Sequence, residues 1–341
     1  MLPQTGTQAV ATLALVGVST ILSYYFYKKI TKKRIPTKWE PIGTVSEMFM
    51  YPLKSGRRSK ISSAKCTNYG LQSDNPSWSH FRDRCLVVYK EGVNEVKNAQ
   101  TFPKIIQIKT NAEDNNRFSL NAPGMETLIL EVPKSTCKED YIELWRNEKI
   151  LSIDCGNNAA EWISKYLLGE SSGMRIGYHD AQHRRNIEKY YSTYKKMFPS
   201  FGNFAGGMYS NLSTLMIMTK SSVDDLMQRL QDSEITVNNF RPNVLIEGSK
   251  IKPYDEDNWE WIKIGDVVFQ KVMVCGRCPI TTINPETGEF SKDHEPLTTL
   301  KKYRTMVRTQ AGRVSPIMGI HVGMMKGGSF KVADTVYIGK Y

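Results

Sequence analysis

The feature that most constrains the fold of this chain is a long series of short apolar segments, each bounded by turn-forming residues. Runs of this kind, which alternate in polarity or carry β-branched residues, are typical of β-strands. They occur at residues 42–50, 61–66, 85–89, 105–108, 127–132, 141–145, 214–219, 244–247, 259–264, 267–274 and 331–338. The series predicts an α+β fold that is mainly β, with barrel-like units and peripheral helices.

Two amphipathic stretches predict helices. Asn157 or Asn158 can cap the first one, and Gly169 can end it because glycine readily adopts a left-handed conformation. Ser221 or Ser222 can cap the second, and two acidic residues follow in its first turn, where a helix favours negative charge. Both stretches are short, so the helices are expected at the periphery of the β body.

The N-terminal region predicts a transmembrane helix. Residues 9–27 carry no charge, and a helix of about 19 residues reaches about 28 Å, enough to cross the apolar part of a bilayer. Five lysines and arginines follow at 28–34, which favours a retained span with that end in the cytosol. A cleaved signal peptide is the alternative, but its charge would precede the apolar run.

The chain is accordingly divided into a tail at 1–8, the anchor at 9–27, a basic linker at 28–40, a β-rich domain at 41–174 and a second domain at 175–341. A short span with a basic C-terminal flank suits the mitochondrial outer membrane, with the C-terminal body in the cytosol. The endoplasmic reticulum or peroxisome membrane is the alternative. In the reducing cytosol, the six cysteines are expected to be thiols.

Two cysteines, Cys275 and Cys278, flank Arg277 at the end of a strand-like run. A structural zinc site would need a second ligand pair, and the other cysteines are too widely spaced to supply a second Cys-x-x-Cys. A thioredoxin-type dithiol would need a strand-to-helix setting, whereas residues 279–283 are expected to be extended. Inert cysteines and thiolate ligation of another metal also remain open.

Basic residues near predicted strand ends are a second signal, at Lys54, Arg84, Arg241 and Arg277. Together with serine hydroxyls such as Ser55, they could bind a phosphate group. The alternative is that each is an ordinary surface or ion-paired residue. The sequence contains no dinucleotide-binding glycine motif, P-loop or His-Glu-x-x-His, which disfavours common nucleotide and zincin sites.

The segment at 183–198 is both basic and aromatic. Such a composition can bind single-stranded nucleic acid, but a connecting segment with a solvated face is the favoured interpretation. Nucleic acid is therefore not expected as a partner.

Four separated motifs resemble the MOSC family, named after the C-terminal domain of molybdenum cofactor sulfurase. They are Met-Tyr-Pro-Leu-Lys-Ser at 50–55, Arg-Asp-Arg at 82–84, Asn-Phe-Arg-Pro-Asn at 239–243, and Cys-Gly-Arg-Cys-Pro-Ile-Thr-Thr at 275–282 with Pro-Glu-Thr-Gly at 285–288. The resemblance spans about residues 40–341. It implies a MOSC-type β-barrel domain preceded by an N-terminal β-rich MOSC domain. With a short anchor and no sulfurase domain ahead, the chain is similar to the amidoxime-reducing members of the family.

The resemblance implies a molybdopterin cofactor whose molybdenum is bound by Cys278, the one residue expected to be both metal ligand and catalytic. Arg277 beside it is expected to favour the thiolate. Two positions depart from the family pattern: Leu212 stands where a hydroxyl residue is usual, and His321 where tyrosine is expected. The implied cofactor contacts are Lys54, Ser55, Arg84, Ser210, Asn211, Leu212, Ser213, Arg241, Gly276, Arg277, Cys278 and His321.

The resemblance also implies the reaction, which is reduction of small N-hydroxylated substrates, such as amidoximes and hydroxylamines, to amidines and amines. Electrons would come from NADH through cytochrome b5 reductase and cytochrome b5, because the sequence has no dinucleotide, flavin or haem motif of its own. The net charge of +12 offers a docking surface for an acidic cytochrome. The alternatives are a molybdenum-cofactor carrier without reductase activity, and a dithiol protein that uses both cysteines.

Overall fold

The structure is a computed structural model that describes residues 35–134, 136–230, 234–307 and 314–341. Its strands are β1 Lys38–Met50, β2 Ser59–Ile61, β3 Ser63–Thr67, β4 Gly70–Gln72, β5 Leu86–Lys90, β6 Val96–Lys97, β7 Lys109–Asp114, β8 Arg117–Asn121, β9 Leu128–Glu131, β10 Glu139–Glu143, β11 Lys149–Asp154, β12 Met174–Tyr178, β13 Leu215–Thr219, β14 Val244–Glu247, β15 Trp261–Ile264, β16 Val267–Gly276, β17 Thr305–Val307, β18 Val314–Lys326, β19 Gly328–Lys331 and β20 Thr335–Lys340. Its α-helices are α1 Asn157–Leu168, α2 Ile187–Tyr190, α3 Ser192–Met197, α4 Lys220–Leu230, α5 Val237–Phe240 and α6 Leu297–Tyr303. Short 3₁₀ turns lie at Pro76–Trp78, Pro103–Gln107, Trp145–Asn147, Asn203–Ala205, Asp255–Asn258 and Pro279–Thr282.

The predicted anchor at 9–27 lies outside the described residues, together with the tail at 1–8 and residues 28–34 of the predicted linker. In the part of the chain that the structure describes, no helix has both the length and the apolar character needed to cross a bilayer.

Seven strands close into a barrel, in the order β13, β14, β1, β20, β15, β16 and β18, and β18 pairs back onto β13. The central strands are strongly apolar: all five residues of β13 are buried, and β16 buries all but three of its ten. A closed sheet leaves no barrel strand with an unpaired edge. The prediction of a mainly β fold with barrel-like units and peripheral helices is confirmed.

Two neighbouring barrel strands, β13 and β14, are parallel, and this pair positions Arg241. Parallel neighbours need a crossover connection, which α4 and α5 supply between the two strands. The chain leaves α5 through Arg241 and enters β14 at Val244, which pairs antiparallel with Met48 of β1. The segment that follows β1 therefore begins beside Arg241.

A second sheet places Arg84 next to the same segment. It has five strands in the order β10, β11, β12, β5 and β6, and α1 packs against β12. Lys54 N donates to Leu86 O at 2.7 Å, and Leu86 N donates to Pro52 O at 2.9 Å, so the chain after β1 runs beside the start of β5. Two three-stranded sheets, β19-β3-β4 and β7-β8-β9, complete the body. The division into domains at 41–174 and 175–341 stays a prediction. Strand β1, from the first range, is a barrel strand between β14 and β20, which come from the second.

Two predictions about local structure are wrong, and in both segments a proline begins a 3₁₀ turn. Residues 105–108, predicted as a strand, lie mostly in the 3₁₀ turn Pro103–Gln107, where proline suits the first position of a helical turn. Residues 279–283, predicted to be extended, contain the 3₁₀ turn Pro279–Thr282. There the hydroxyl of Thr281 donates to Cys278 O at 2.8 Å, a local bond that competes with extended chain.

Both predicted helices exist, but their N-termini are capped differently. The residue before α1 is Gly156, not an asparagine, and its N–H donates to Asp154 Oδ1 at 2.7 Å. The helix ends at Gly169 in the left-handed conformation, as predicted. In the second helix, α4, the hydroxyl of Thr219 accepts from Ser222 N at 3.3 Å, so the cap precedes the serines. The acidic pair then lies beyond the first turn.

Candidate functional site

Three residues predicted to contact a cofactor have backbone conformations that residues other than glycine seldom adopt. Ser55, Arg84 and Arg241 have φ of 66°, 53° and 57°. Each left-handed residue costs about 1–2 kcal/mol, which persists only where the surrounding structure enforces it, and such residues concentrate at functional sites. The three come from separate segments of the chain, so the question is whether they meet.

Arg84 and Arg241 meet over the ring of Tyr51, and Ser55 lies next to a residue that Arg241 contacts. The guanidinium carbons of Arg84 and Arg241 lie 4.5 and 4.3 Å from the ring centroid. Arg241 Nη1 also donates to Gly56 O at 2.7 Å, next to Ser55. Two cations that share one aromatic ring hold the three strained segments together.

The ring is fixed by groups that the sequence did not single out. Asp83 is buried and accepts from Tyr51 N at 2.9 Å and from Asn243 Nδ2 at 3.1 Å, and it forms an ion pair with Arg84. Tyr51 donates its hydroxyl to Pro242 O at 3.1 Å, and burial raises its pKa to about 12. All these residues lie inside the motifs already quoted. In the sequence, the acidic Asp83 between Arg82 and Arg84 could have indicated that a carboxylate holds these residues in place.

Lys54 is buried beside this group. Its Nζ donates to Tyr209 O at 2.8 Å and to Asn211 Oδ1 at 2.5 Å. Burial, reinforced by repulsion from Arg185 and Arg84, lowers the pKa of Lys54 to about 7. A negative group placed here would favour the charged lysine, so the site is suited electrostatically to an anion.

Arg185, which the sequence placed in a solvated segment, is instead buried in an ion pair with Glu148. Its Nε donates to Glu148 Oε1 at 2.8 Å and its Nη2 to Oε2 at 2.5 Å, and the two side chains are only 2% and 1% exposed. The remaining Nη1 donates to Met208 O at 3.2 Å and to Ser210 O. The pair therefore fixes the loop that contacts Lys54. No spacing in the sequence links positions 148 and 185.

The end of this loop contacts His321. Ser213 Oγ donates to Leu215 O at 2.8 Å and lies 2.7 Å from His321 Nδ1. The single proton of the Ser213 hydroxyl is used toward Leu215 O, so its oxygen accepts a hydrogen bond from His321 Nδ1–H. In a neutral His321, Nε2 is then the nitrogen with the lone pair. Among the described residues, the buried hydroxyl of Ser210 has no hydrogen-bond partner. It remains available to a bound group.

Leu212, the apolar departure in this loop, faces an apolar cluster. It is buried together with Ile187, Tyr191, Phe201 and Met273. Tyr191 also stacks on Tyr194 with ring centroids 6.0 Å apart and an angle of 11° between the planes. The aromatic residues of the 183–198 segment thus form a core, which explains why an apolar residue is tolerated at position 212.

Cys278 is held at the end of β16 by the 3₁₀ turn that follows it. The thiol residue is partly exposed, and its carbonyl accepts from Thr281 N at 3.0 Å. Asn239, buried in α5, donates to Thr281 O at 3.2 Å and to Ile283 O at 3.1 Å. Because Asn239 lies two residues before Arg241, these bonds attach the cysteine turn to the cationic group.

The expectation that Arg277 acts on Cys278 needs correction, because its guanidinium bonds to the other cysteine. Nη1 donates to Cys275 Sγ at 2.9 Å, and Nη2 donates to Phe240 O. Arg277 is itself buried, and its Nε has no partner among the described residues. Its backbone N–H donates to Pro316 O at 2.8 Å, and Gly276 pairs with Ile317 of β18. Arg277 thus joins β16 to the residue before Arg241.

The other cysteines lie in different surroundings. Cys66 and Cys85 are free, and burial raises the pKa of both thiols well above the ordinary value. Cys137, Cys155 and Cys278 are also free. Within the described ranges, no three His, Cys, Asp or Glu side chains are grouped so that they could hold a metal ion. A centre whose cofactor supplies the other ligands needs only one protein thiolate.

The residues present fit a phosphate-bearing, thiolate-rich cofactor. Four cations, Lys54, Arg84, Arg185 and Arg241, are accompanied by two carboxylates, Asp83 and Glu148. Positive charge is therefore in excess where the chain is largely buried, and the hydroxyl of Ser210 has no partner among the described residues. The partly exposed thiol of Cys278 is attached to the same group through α5. Of the predicted contacts, Leu212 is the one whose side chain is directed into an apolar core.

Comparison with known proteins agrees with this architecture. The family model described as "MOSC N-terminal beta barrel domain" matches residues 42–170, and the one described as "MOSC domain" matches residues 206–337. The chain is 33% identical over 302 residues to "Mitochondrial amidoxime reducing component 2" of Bos taurus, which covers 87% of this chain and 84% of that protein. It is 32% identical over 330 residues to the Homo sapiens protein of the same name, covering 96% and 92% of the two chains. It is 31% identical over 332 residues to "Mitochondrial amidoxime-reducing component 1" of Danio rerio, covering 96% and 91%.

The two MOSC matches and these identities, over most of each chain, define the class. The chain belongs to the MOSC-domain family and, within it, to the family of the mitochondrial amidoxime reducing components.

Proposed function

We propose that this protein is a molybdenum-cofactor-dependent reductase that converts N-hydroxylated compounds, such as amidoximes and hydroxylamines, into amidines and amines. The observation that carries the proposal is the attachment of a partly exposed thiol, Cys278, to a buried cationic group through α5. The names of the relatives, which specify amidoxime reduction, support the choice of substrate class.

In this proposal Cys278 is the protein ligand of molybdenum. Lys54, Arg84 and Arg241 balance the negative charge of the cofactor, and Ser210 offers it a hydroxyl. The cofactor, when bound, would supply the two-electron chemistry, in which the substrate N–O bond breaks and two electrons and two protons are consumed as the amidine or amine and water form. Asn239 and Arg277 hold the cysteine turn against α5, so they position the thiol and do not react.

The electrons are proposed to come from NADH through cytochrome b5 reductase and cytochrome b5. The lack of nucleotide, flavin and haem motifs in the sequence and its +12 charge support an external, acidic donor. The relatives are named mitochondrial, which supports a mitochondrial location. We place the protein in the outer membrane through residues 9–27, with the body in the cytosol, and keep the endoplasmic reticulum or peroxisome membrane as the alternative.

The test compares the wild type with Cys278→Ala and with the matched variant Cys275→Ala. Molybdenum per chain, fluorescence of the oxidised pterin, and reduction of benzamidoxime with added cytochrome b5 and its reductase are measured for each. We expect Cys278→Ala to lower activity at least about 100-fold and Cys275→Ala to keep measurable activity. Loss of activity in Cys275→Ala alone would show that Cys278 is not the ligand. Wild-type protein without molybdenum would refute the proposal.

A carrier that binds the molybdenum cofactor without reducing substrates is the second candidate. The partly exposed position of Cys278 favours it as much as the reductase, because a carrier also needs an accessible ligand. Wild-type protein that contains molybdenum and pterin but leaves benzamidoxime unreduced would favour the carrier.

A further inference from the structure

A second concave site lies beside the candidate cofactor site. Its cavity has a volume of about 710 Å³ and is bounded by the chain after β1, by β7 and β8, and by the turn at 284–288. This volume falls within the range of roughly 300–1,000 Å³ typical of small-molecule sites. Tyr51 and Arg241 line both sites, whereas Lys54 and Cys278 are not among the residues that line this cavity.

The cavity is strongly cationic. Its lining includes five cations, Arg57, Arg58, Lys60, Lys109 and Arg241, and one carboxylate, Glu286. Arg57 forms an ion pair with Glu286, and Lys60 Nζ lies 2.8 Å from the carboxylate of Glu47. Across the described ranges, Arg58, Lys109 and Arg241 have no carboxylate partner.

The positions of the three unbalanced cations suit a bound anion. Arg58 lies over the Phe49 ring, 4.6 Å from its centroid, so its guanidinium is held in place by an apolar contact. Arg241 is partly buried, and burial lowers its pKa to about 10. Uncompensated cations in a concave, partly desolvated site concentrate the field that attracts anions.

The cavity also has polar groups and a fixed rim. The amide oxygen of Asn238 is buried there without a hydrogen-bond partner among the described residues, so a ligand that carries a hydrogen-bond donor would satisfy it. On the rim, Gln107 Nε2 donates to Glu286 O at 2.7 Å. Together with the Arg57–Glu286 pair, this bond joins the turn at 284–288 to the 3₁₀ turn at 103–107 and to the chain after β1. The cavity is therefore preformed.

We propose that this cavity binds a small phosphate-bearing ligand, held by Arg58 and Lys109, with Arg241 on the wall that the cavity shares with the cofactor site. A dianionic phosphate ester balances more of the excess charge than a single carboxylate does, and the planar guanidinium groups match its oxygens. A hydroxyl group on the esterified part of such a ligand can donate to Asn238 Oδ1. The ligand is distinct from the cofactor, and the proposal does not depend on reductase activity. A concave site of this volume favours a small molecule over the surface of an acidic protein.

The test uses the full chain as isolated and calorimetric titration with inorganic phosphate and with glycerol 3-phosphate. The cavity variant is Arg58→Ala/Lys109→Ala. The control, Lys90→Ala/Lys331→Ala, removes the same charge from exposed positions in other sheets. We expect saturable binding to the wild type, a dissociation constant raised at least about tenfold in the cavity variant, which corresponds to about 1.4 kcal/mol, and a change below about twofold in the control. Circular dichroism checks that both variants fold, and Arg58→Lys is expected to restore part of the affinity.

Sedimentation with phosphatidylcholine vesicles, with and without phosphatidic acid, identifies the source of the phosphate. Soluble-ester binding without vesicle binding indicates a free metabolite, and vesicle binding lost in the cavity variant indicates a lipid headgroup. Equal weakening in the two double variants, or no saturable phosphate binding by the wild type, would overturn the proposal. So would loss of cytochrome b5 binding in the cavity variant while phosphate binding persists, because the cavity would then be a protein-docking surface.

Discussion

The buried ion pair between Arg185 and Glu148 allows a quantitative prediction about the site loop. Glu148→Gln keeps the size of the side chain but removes its charge. The Arg185 side chain, 2% exposed, would then be left with carbonyl oxygens of the loop and a neutral amide as partners. Removing one partner of a buried pair typically costs about 3–5 kcal/mol because the remaining charge stays desolvated. We expect the free energy of unfolding to fall by about 3 kcal/mol or more.

The effect should extend to Lys54. Glu148 is among the groups that raise the pKa of Lys54, whereas Arg185 lowers it. Without the carboxylate, the repulsion from Arg185 is no longer offset, so a larger fraction of Lys54 is expected to be neutral at pH 7. The bonds from its Nζ to Tyr209 O and Asn211 Oδ1 weaken as the charge is lost. The variant should therefore be less stable and also hold an anion less tightly.

Urea unfolding monitored by tryptophan fluorescence measures the change. The matched control is Glu161→Gln, which breaks an exposed ion pair with Lys165 on α1 and should cost less than about 1 kcal/mol. The double variant Glu148→Leu/Arg185→Met removes both charges and should recover much of the stability lost in Glu148→Gln. A loss below about 1 kcal/mol in Glu148→Gln, or a double variant no more stable than the single one, would refute the reasoning.

Three further predictions concern the site. Burial lowers the pKa of Lys54 from 10.5 to about 7, so the unfolded chain binds more protons than the folded one between these pH values. The free energy of unfolding of the cofactor-free protein should therefore rise as pH rises from about 7 to 10. In urea unfolding at a series of pH values, Lys54→Met should flatten this slope, and equal slopes would contradict the burial argument. Asn239→Ala removes two hydrogen bonds to the cysteine turn, which should lower the free energy of unfolding by about 2 kcal/mol. It should also speed iodoacetamide labelling of Cys278 relative to the exposed Cys137. An unchanged ratio of the two labelling rates would show that the turn does not depend on Asn239. Tyr51→Phe loses one hydrogen bond, to Pro242 O, and should lower the stability measured by thermal unfolding by about 1 kcal/mol. Tyr51→Leu also loses both cation–π contacts and should lower the stability clearly more. Similar losses in the two variants would mean that the ring contributes little.

Much of the barrel could be predicted from the sequence because its strands carry their own signal. The Val244–Glu247 strand was predicted with its exact bounds, and β13 and β16 to within two residues. These runs are apolar and β-branched, so local preference and burial favour the same structure. The failures came where a proline begins a 3₁₀ turn, at 103–107 and after Cys278, and in the second case a threonine hydroxyl adds a local bond. A short apolar run does not distinguish a strand from a tight helical turn.

The site was predictable only in part. The four motifs identified Lys54, Arg84, Arg241 and Cys278. The structure brings Arg84 and Arg241 over the ring of Tyr51 and buries Lys54, which bonds to Tyr209 O. The direction of the Arg277 guanidinium could not be predicted, because Cys275 and Cys278 are both close to it in sequence. The Arg185–Glu148 pair could not be predicted either, since it joins positions 37 residues apart in segments with no shared pattern.

The pairing of β1 with β20 has a consequence for biosynthesis. The barrel cannot close until β20 has emerged from the ribosome, roughly 15–60 s after β1 at ordinary rates of translation. During this interval β1, whose residues Met48, Phe49 and Met50 are fully buried in the finished barrel, has no partner at the edge that β20 will cover. Apolar surface and an unpaired strand edge that are exposed in this way make a folding chain prone to aggregation. If residues 9–27 insert into a membrane first, the barrel completes its assembly at the membrane surface.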